Sequence, residues 1–145
     1  MPAMSVEEVD AFLESVFPEM HQGGRIFSTD AITEEGARVS MVPQARHLRP
    51  GGTVSGPTLM TLVDIAAYVA VLGHRGPKAL AVTTNLSINF LRRPPLGPLT
   101  CTARILKNGQ KLVVLDAAVE GEGTPPVLVA HATATYAMPP DGKDA

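Results

Sequence analysis

The chain has 145 residues, of which 45 % are hydrophobic, a size and an apolar content typical of one globular domain with a substantial core. Charge is nearly balanced, with 12 Lys and Arg against 14 Asp and Glu, so the chain lacks the basic excess typical of a nucleic-acid-binding protein. The single cysteine, Cys101, excludes an internal disulfide and fits a reducing compartment.

Three kinds of segment precede the longest apolar run. Residues 5–17 predict a helix, because Ser5 suits an N-cap, acidic residues follow it and apolar residues recur at helical spacing. Residues 25–31 and 37–42 predict two strands joined by a polar turn. Residues 44–57 are rich in glycine and proline and predict a loop.

The acidic N-terminus has no secretory pattern, so we expect a cytoplasmic protein.

Residues 56–72 predict a long helix that is buried on most sides. Pro57 suits its first turn and Gly73 suits its C-terminal cap. The run is shorter than a bilayer span and carries Asp64 at its centre, which argues against a membrane helix. An ionised carboxylate among apolar side chains is disfavoured unless it is paired or hydrogen-bonded. Asp64 is therefore either a structural carboxylate that bonds backbone or bridges subunits, or a catalytic base or nucleophile.

Four strand-like segments follow the long helix. They cover residues 79–91, 99–106, 112–119 and 127–138, with a hairpin signal at the Asn-Gly pair 108–109. Alternation in the first segment puts Thr83 and Leu86 on opposite faces. This order predicts an α+β fold in which a curved, mostly antiparallel sheet wraps one long central helix. We expect one domain over 1–145, with the N-terminal helix at 5–17, a core over 25–138 and a tail over 139–145.

The histidines do not indicate a metal site. All four are scattered along the chain without a metal-ligand spacing, at His21, His47, His74 and His131. We therefore expect no metal and no cofactor.

The segment around the long helix resembles the hotdog-fold acyl-CoA thioesterases, in particular the phenylacetic-acid-degradation (PaaI-like) branch. That family's signature is His-x-Asn-x-x-Gly-x-x-His-Gly-Gly, followed by Leu-x-Asp-x-Ala. The matching positions are His47, Gly52, Gly56, Leu62, Asp64 and Ala66. The resemblance continues through 82–92 and 97–109 and covers about residues 40–138. Three positions depart from it, since Arg49 replaces Asn, Ser55 replaces His and Pro57 replaces the second Gly.

The resemblance implies hydrolysis of an acyl-CoA in a site shared across a homodimer, with further assembly into a homotetramer. The apolar candidates for the pocket lining favour a medium-chain or aromatic acyl group: Leu59, Met60, Val63, Tyr68 and Leu86. Coenzyme A would enter only as part of the substrate, with no nucleic acid or membrane partner. Backbone amides near Gly56 would polarise the thioester carbonyl, and Asp64 of the partner subunit would activate water or attack directly. The implied catalytic residues are Asp64, Gly56, Thr83 and Ser55. The implied substrate and CoA contacts are His47, Arg49, Gly52, Pro57, Thr84, Arg92, Lys107 and Gly109.

Several of these assignments have ordinary alternatives. Thr83 is either a water-holding hydroxyl or a common strand threonine. Ser55 contacts substrate, caps the helix, or does both. Arg92 and Lys107 either bind the CoA phosphates or are solvated surface charges. For the whole protein, the departures at Arg49 and Ser55 motivate a non-catalytic hotdog protein that binds an acyl-CoA or an aromatic ligand. An enoyl-CoA hydratase would need a second acid–base group, and the residue five positions after Asp64 is Val69.

Overall fold

The structure, a computed structural model, describes residues 2–18, 26–94 and 97–140. Helix α1 (Val6–Val16) begins where the sequence predicts, because the Ser5 hydroxyl accepts the Glu8 N–H (3.2 Å) and the Glu8 carboxylate accepts the Ser5 N–H (2.9 Å). Strands β1 (Phe27–Ile32) and β2 (Gly36–Met41) form the predicted hairpin. The predicted strand start at 25, His21 and the last part of the tail, 141–145, lie outside the described residues.

The predicted loop at 44–57 contains a small hairpin. Strands β3 (Leu48–Arg49) and β4 (Thr53–Val54) pair antiparallel. The turn between them places Gly51 and Gly52 at φ of 99° and 78°, where a side chain would be strained. Gly52 therefore shapes the loop that leads into the long helix, and its N–H donates to the Arg49 carbonyl (3.1 Å).

The long helix, α2, spans Gly56–Arg75, which is one turn longer than the sequence predicts. The prediction that Gly73 caps it is wrong, since the C-cap is Gly76 at φ 90°. Gly73 is instead a packing position, because a Cβ there would lie 2.8 Å from Ile32 Cγ2. The full helix is long and apolar enough to cross a membrane by length and composition, but two-thirds of its most apolar window is buried, as in the core helix of a globular fold.

A six-stranded antiparallel sheet covers α2, in the order β1-β2-β6-β7-β8-β5. Its last four strands are β5 (Val82–Phe90), β6 (Leu99–Asn108), β7 (Leu112–Gly121) and β8 (Val127–Ala137). Register shifts within the pairings of β1, β5, β6 and β7 mark bulges, which bend strands and curve a sheet. The predicted α+β hotdog architecture, a curved antiparallel sheet around one long helix, is confirmed.

The core lies between α2 and the concave face of the sheet. Leu59, Leu62 and Val63 on the helix are at most 1 % exposed, and Leu99 and Leu115 opposite them on the sheet are equally buried. Burial of this apolar surface supplies most of the driving force for folding. Strand β5, at one edge, is mostly exposed along its length.

Candidate active site

Asp64 lies on a stripe of α2 that the sheet leaves uncovered. Pro57, Met60 and Thr61 are exposed and Asp64 is half-buried, whereas the adjacent Val63 is fully buried. The stripe recurs every three or four residues, which puts its members on one side of the helix. The Asp64 carboxylate therefore lies at the edge of the core and is not enclosed in it. Because it is only half-buried, it avoids the full free-energy cost of burying an ionised group among apolar side chains.

Two hydroxyl groups hold the carboxylate of Asp64. Thr83 Oγ1 donates to Asp64 Oδ1 at 2.6 Å, and the Tyr136 hydroxyl lies 2.7 Å from the same oxygen. Thr83 and Tyr136 are direct partners across β5 and β8, so strand pairing brings both hydroxyls to the same point of α2. Within residues 2–18, 26–94 and 97–140, no hydrogen bond reaches the other oxygen, Oδ2.

A bulge in β5 decides which of two adjacent threonines reaches the carboxylate. The pairing of β5 with β8 skips Thr84, between Thr83 and Asn85. As a result, Thr83 and Leu86 line the same cavity, and the predicted placement of these two residues on opposite faces is wrong. The Thr84 hydroxyl donates to the Thr135 backbone carbonyl at 3.2 Å and is not brought to Asp64.

Tyr136 is a site residue that the sequence reasoning missed. Its side chain is 3 % exposed and stacks on Tyr68, with ring centroids 6.1 Å apart and an interplanar angle of 10°. Burial, and then the nearby Asp64 carboxylate, raise the pKa of the Tyr136 phenol well above its ordinary value. One sequence signal could have found it, because the other inward positions of β8 are small and apolar: Ala130, Ala132 and Ala134.

A cavity of about 660 Å³ opens beside Asp64 and Thr83. Its size is in the range of small-molecule sites, and it extends along α2 to Pro57 and His47. A second cavity of about 320 Å³ adjoins it and shares Asp64 and Thr83, so the carboxylate lies where the two meet. The apolar side chains of the larger cavity are Phe17, Ile26, Phe27, Met60, Ile65 and Leu86.

The residues before α2 build its N-terminus. The Ser55 hydroxyl accepts the Thr58 N–H (3.3 Å), as an N-cap does, and the Ser55 N–H donates to the His47 carbonyl (2.8 Å). The His47 ring accepts the Gln44 N–H at Nδ1 (2.7 Å). Burial, and then the charge of Arg46, lower the pKa of the His47 imidazole. Ser55 and His47 are thus both engaged in ordering the loop that presents the helix N-terminus.

Gly56 faces a different cavity from Asp64. This third cavity, of about 480 Å³, is lined in part by Gly56, Arg49 and Arg92, and Pro57 separates it from the cavity beside Asp64. The Phe90 ring lies close over Gly56, since a Cβ there would be 3.2 Å from the ring. Predicted substrate-contacting residues therefore meet here, next to a helix N-terminus that favours negative charge.

Two predicted CoA contacts lie far from this end of the molecule. Lys107 and Gly109 belong to the β6–β7 hairpin, which Arg75 holds by donating to Asn108 Oδ1 (2.9 Å) and to the Gly109 carbonyl (2.6 Å). Arg75 ends α2, so the hairpin lies about 30 Å from Gly56 along a helix of 20 residues. Within one chain the structure does not bring Lys107 and Gly109 together with the other predicted site residues.

The side chains give no metal site in the described part of the chain. No group of three or more His, Cys, Asp and Glu side chains that could hold an ion occurs among residues 2–18, 26–94 and 97–140. His131 contacts Asp116 (3.3 Å) on the sheet, and His74 contacts the Thr33 carbonyl (2.7 Å). That the protein needs neither metal nor cofactor stays a prediction.

Comparison with known proteins identifies the family of this chain. A family model described as the thioesterase superfamily matches residues 51–136. A crystal structure from Silicibacter sp. TM1040, provisionally described as a thioesterase, is 44 % identical, covers 97 % of this chain and 95 % of that chain, and has a TM-score of 0.85. A protein of Saccharolobus solfataricus, provisionally described as an esterase, is 29 % identical over 94 % of this chain and 87 % of its own length. Zebrafish thioesterase superfamily member 2, 19 % identical, shares the fold with a TM-score of 0.80 over 94 % of this chain and 100 % of its own. On these grounds the chain belongs to the thioesterase superfamily.

Proposed function

We propose that the protein is an acyl-CoA thioesterase that hydrolyses a medium-chain or aromatic acyl-CoA to the free acid and CoA. Membership in the thioesterase superfamily supports thioester hydrolysis as the class of reaction. The observation that carries the proposal is the Asp64 carboxylate, hydrogen-bonded by Thr83 at the edge of a cavity with apolar walls. Those walls suit an aliphatic or aromatic acyl group.

In the proposed reaction, water attacks the thioester carbonyl and Asp64 takes the proton, or Asp64 attacks first and water then releases the acid. In both routes the C–S bond breaks, the thiolate of CoA leaves and takes up a proton, and water supplies one oxygen of the acid. The N–H groups at Gly56 would polarise the carbonyl, because the first amides of a helix have no intrahelical partner. No cofactor takes part in this scheme.

The scheme needs two copies of the chain. Gly56 and Asp64 are eight residues apart on one helix, which is about 12 Å along its axis, and they face different cavities. One thioester cannot contact both within a single chain. We therefore propose a homodimer in which Gly56 of one copy works with Asp64 of the other, with further assembly to a tetramer. The edge strand β5 supports this, because Val82 and Phe90 are 55 % and 51 % exposed.

Two structural neighbours support CoA as the leaving group. A protein of Streptococcus pneumoniae TIGR4, described as a hypothetical thioesterase and solved with coenzyme A, has a TM-score of 0.68 and 22 % identity over 77 % of this chain and 87 % of its own. A protein of Streptococcus mutans UA159, solved with acetyl CoA, has a TM-score of 0.69 and 24 % identity over 78 % of this chain and 88 % of its own. For the Streptococcus pneumoniae protein, variants with an aspartate or a threonine changed to alanine were also solved.

Arg49 and Arg92 are the proposed contacts for the CoA phosphates, because both line the cavity next to Gly56. The Arg92 guanidinium also donates to the Leu128 carbonyl (2.9 Å), which fixes its direction. Arg92→Ala should raise the KM for an acyl-CoA about tenfold, the scale of one hydrogen bond to a charged group. The KM for the matching acyl-pantetheine thioester, which lacks the nucleotide, should not change. Arg38→Ala, on strand β2, is the charge control, and equal KM changes for both substrates in Arg92→Ala would contradict the assignment.

A non-catalytic protein that binds acyl-CoA is the second candidate function. The Ser55 hydroxyl is used as a helix cap and the Phe90 ring covers Gly56, so both reduce the groups free to act on a thioester. The hydratase alternative has less support, since Val69 is fully buried and brings no acid–base group.

Free-thiol release tests the proposed function. Purified protein is incubated with aliphatic and aromatic acyl-CoAs of increasing size, and release of CoA is followed. Catalytic release of CoA from at least one acyl class is the expected result. Saturable binding without release across the series would overturn the thioesterase proposal and favour the binding protein.

A further inference from the structure

We propose that Tyr136 is a positioning residue for the reaction, which rests on the proposed role of Asp64. Its hydroxyl and that of Thr83 together hold Asp64 Oδ1, and they thereby leave Oδ2 as the oxygen that meets water or the thioester. The role is specific to the hydroxyl group of Tyr136, since the ring alone would fill the same space.

The hydrogen bonds support different roles for the two carboxylate oxygens of Asp64. Oδ1 lies 2.6 Å from the Thr83 hydroxyl and 2.7 Å from the Tyr136 hydroxyl. The Tyr136 hydroxyl is also 2.9 Å from the Asp64 carbonyl oxygen, so it contacts the backbone and the side chain of the same residue. The single phenol proton is thus shared between the carboxylate and the carbonyl oxygen of the same residue, which limits rotation of the Asp64 side chain. Among the described residues, Oδ2 has no such contact.

Tyr136 is itself held in place by the fold. Its backbone pairs with Val113 on β7 and with Thr83 on β5, so it lies between two strands. Its ring stacks on Tyr68, and only 3 % of the residue is exposed. Burial raises the pKa of the phenol, which keeps the hydroxyl protonated as a donor. A rigid phenol that stays protonated orients the Asp64 carboxylate without transferring its own proton to it.

Tyr68 supplies a matched control. It has the same ring, belongs to the same stacked pair, and is half-buried, but its hydroxyl donates to the Ala79 carbonyl (3.1 Å). Tyr68→Phe and Tyr136→Phe therefore remove one hydrogen-bonded hydroxyl each and keep both rings. Only Tyr136→Phe removes a hydrogen bond to Asp64.

The test compares steady-state kinetics of the whole enzyme, Tyr136→Phe, Tyr68→Phe and Asp64→Asn, with circular dichroism as the check on folding. We expect Tyr136→Phe to lower kcat by tenfold to 100-fold and to change KM by less than twofold, because the lost contact orients a reacting group and does not bind substrate. Tyr68→Phe should keep kcat within twofold. Adding Tyr136→Phe to Asp64→Asn should cause no further loss, since both changes act through the same carboxylate.

The other outcomes separate failure of this proposal from failure of the proposed function. Loss of turnover in Asp64→Asn with a wild-type kcat in Tyr136→Phe would overturn the positioning role alone. Equal losses in Tyr136→Phe and Tyr68→Phe, or a Tyr136→Phe protein that does not fold, would show that the hydroxyl is structural and would overturn it too. Wild-type turnover in Asp64→Asn would overturn the proposed function first.

Discussion

Thr83→Val is the change that most cleanly separates a working hydroxyl from an ordinary strand threonine. Valine keeps the shape of threonine and suits a strand, so the fold should be unaffected. The change removes the 2.6 Å hydrogen bond to Asp64 Oδ1. A hydrogen bond to a charged group contributes about 1.5–3 kcal/mol. Since Thr83 is exposed in the single chain, we take the lower part of that range, about 1.5–2 kcal/mol, which corresponds to a loss in kcat of about 10- to 30-fold.

The neighbouring threonine gives the control for that prediction. Thr84→Val removes a hydroxyl one position away that donates to the Thr135 backbone carbonyl. We expect its kcat for the best acyl-CoA to stay within about twofold of wild type, as measured by thiol release at saturating substrate. The reasoning would be refuted if Thr83→Val kept wild-type kcat, or if both variants lost activity to the same extent.

Two further predictions concern stability. Gly36→Ala should lower the free energy of unfolding by about 1–3 kcal/mol, because its Cβ would lie 2.0 Å from the Ala103 carbonyl oxygen and β2 would have to shift. Gly97→Ala is the control, since its Cβ would lie 3.7 Å from an oxygen of the flexible Glu122 side chain, an ordinary contact distance. Equal urea midpoints for the two variants would contradict the packing argument. Cys101 should make the protein less stable in alkali. Burial raises the pKa of its thiol from 9.0 to about 12. Above pH 9 the unfolded chain therefore loses this proton while the folded chain keeps it, which favours the unfolded chain. Between pH 8 and 10.5 the free energy of unfolding, measured with urea, should fall by about 2 kcal/mol more in wild type than in Cys101→Ala. The same pH dependence in the two proteins would contradict this prediction.

Much of the architecture could be predicted from local sequence. Ser5 with Glu8 and Ser55 with Pro57 mark the starts of both helices, and the Asn-Gly pair at 108–109 marks a hairpin. These signals depend on capping and turn preferences within a few residues. They are therefore readable before any tertiary contact is known. The charge of Asp64 in an apolar run also indicated the side of α2 that the sheet leaves uncovered and that lines the cavity.

The parts that could not be predicted depend on contacts between distant segments. Gly73 has the sequence context of a cap, but Ile32 packs on it and the helix continues. Tyr136 meets Asp64 only because β8 pairs with β5 in one register. The bulge at Thr84 likewise depends on that pairing and decides which threonine faces the cavity. No local rule specifies a register set by pairing partners about 50 residues apart in sequence.

The central claim is that the Asp64 carboxylate carries the chemistry, and Asp64→Asn tests it most directly. The amide keeps the size of the carboxylate and one oxygen that can still accept from Thr83 and Tyr136. Turnover of the best acyl-CoA should fall by roughly two to four decades, the scale of losing a positioned acid–base group, while circular dichroism and oligomeric state stay those of wild type. Near-normal turnover in a well-folded Asp64→Asn protein would contradict the account.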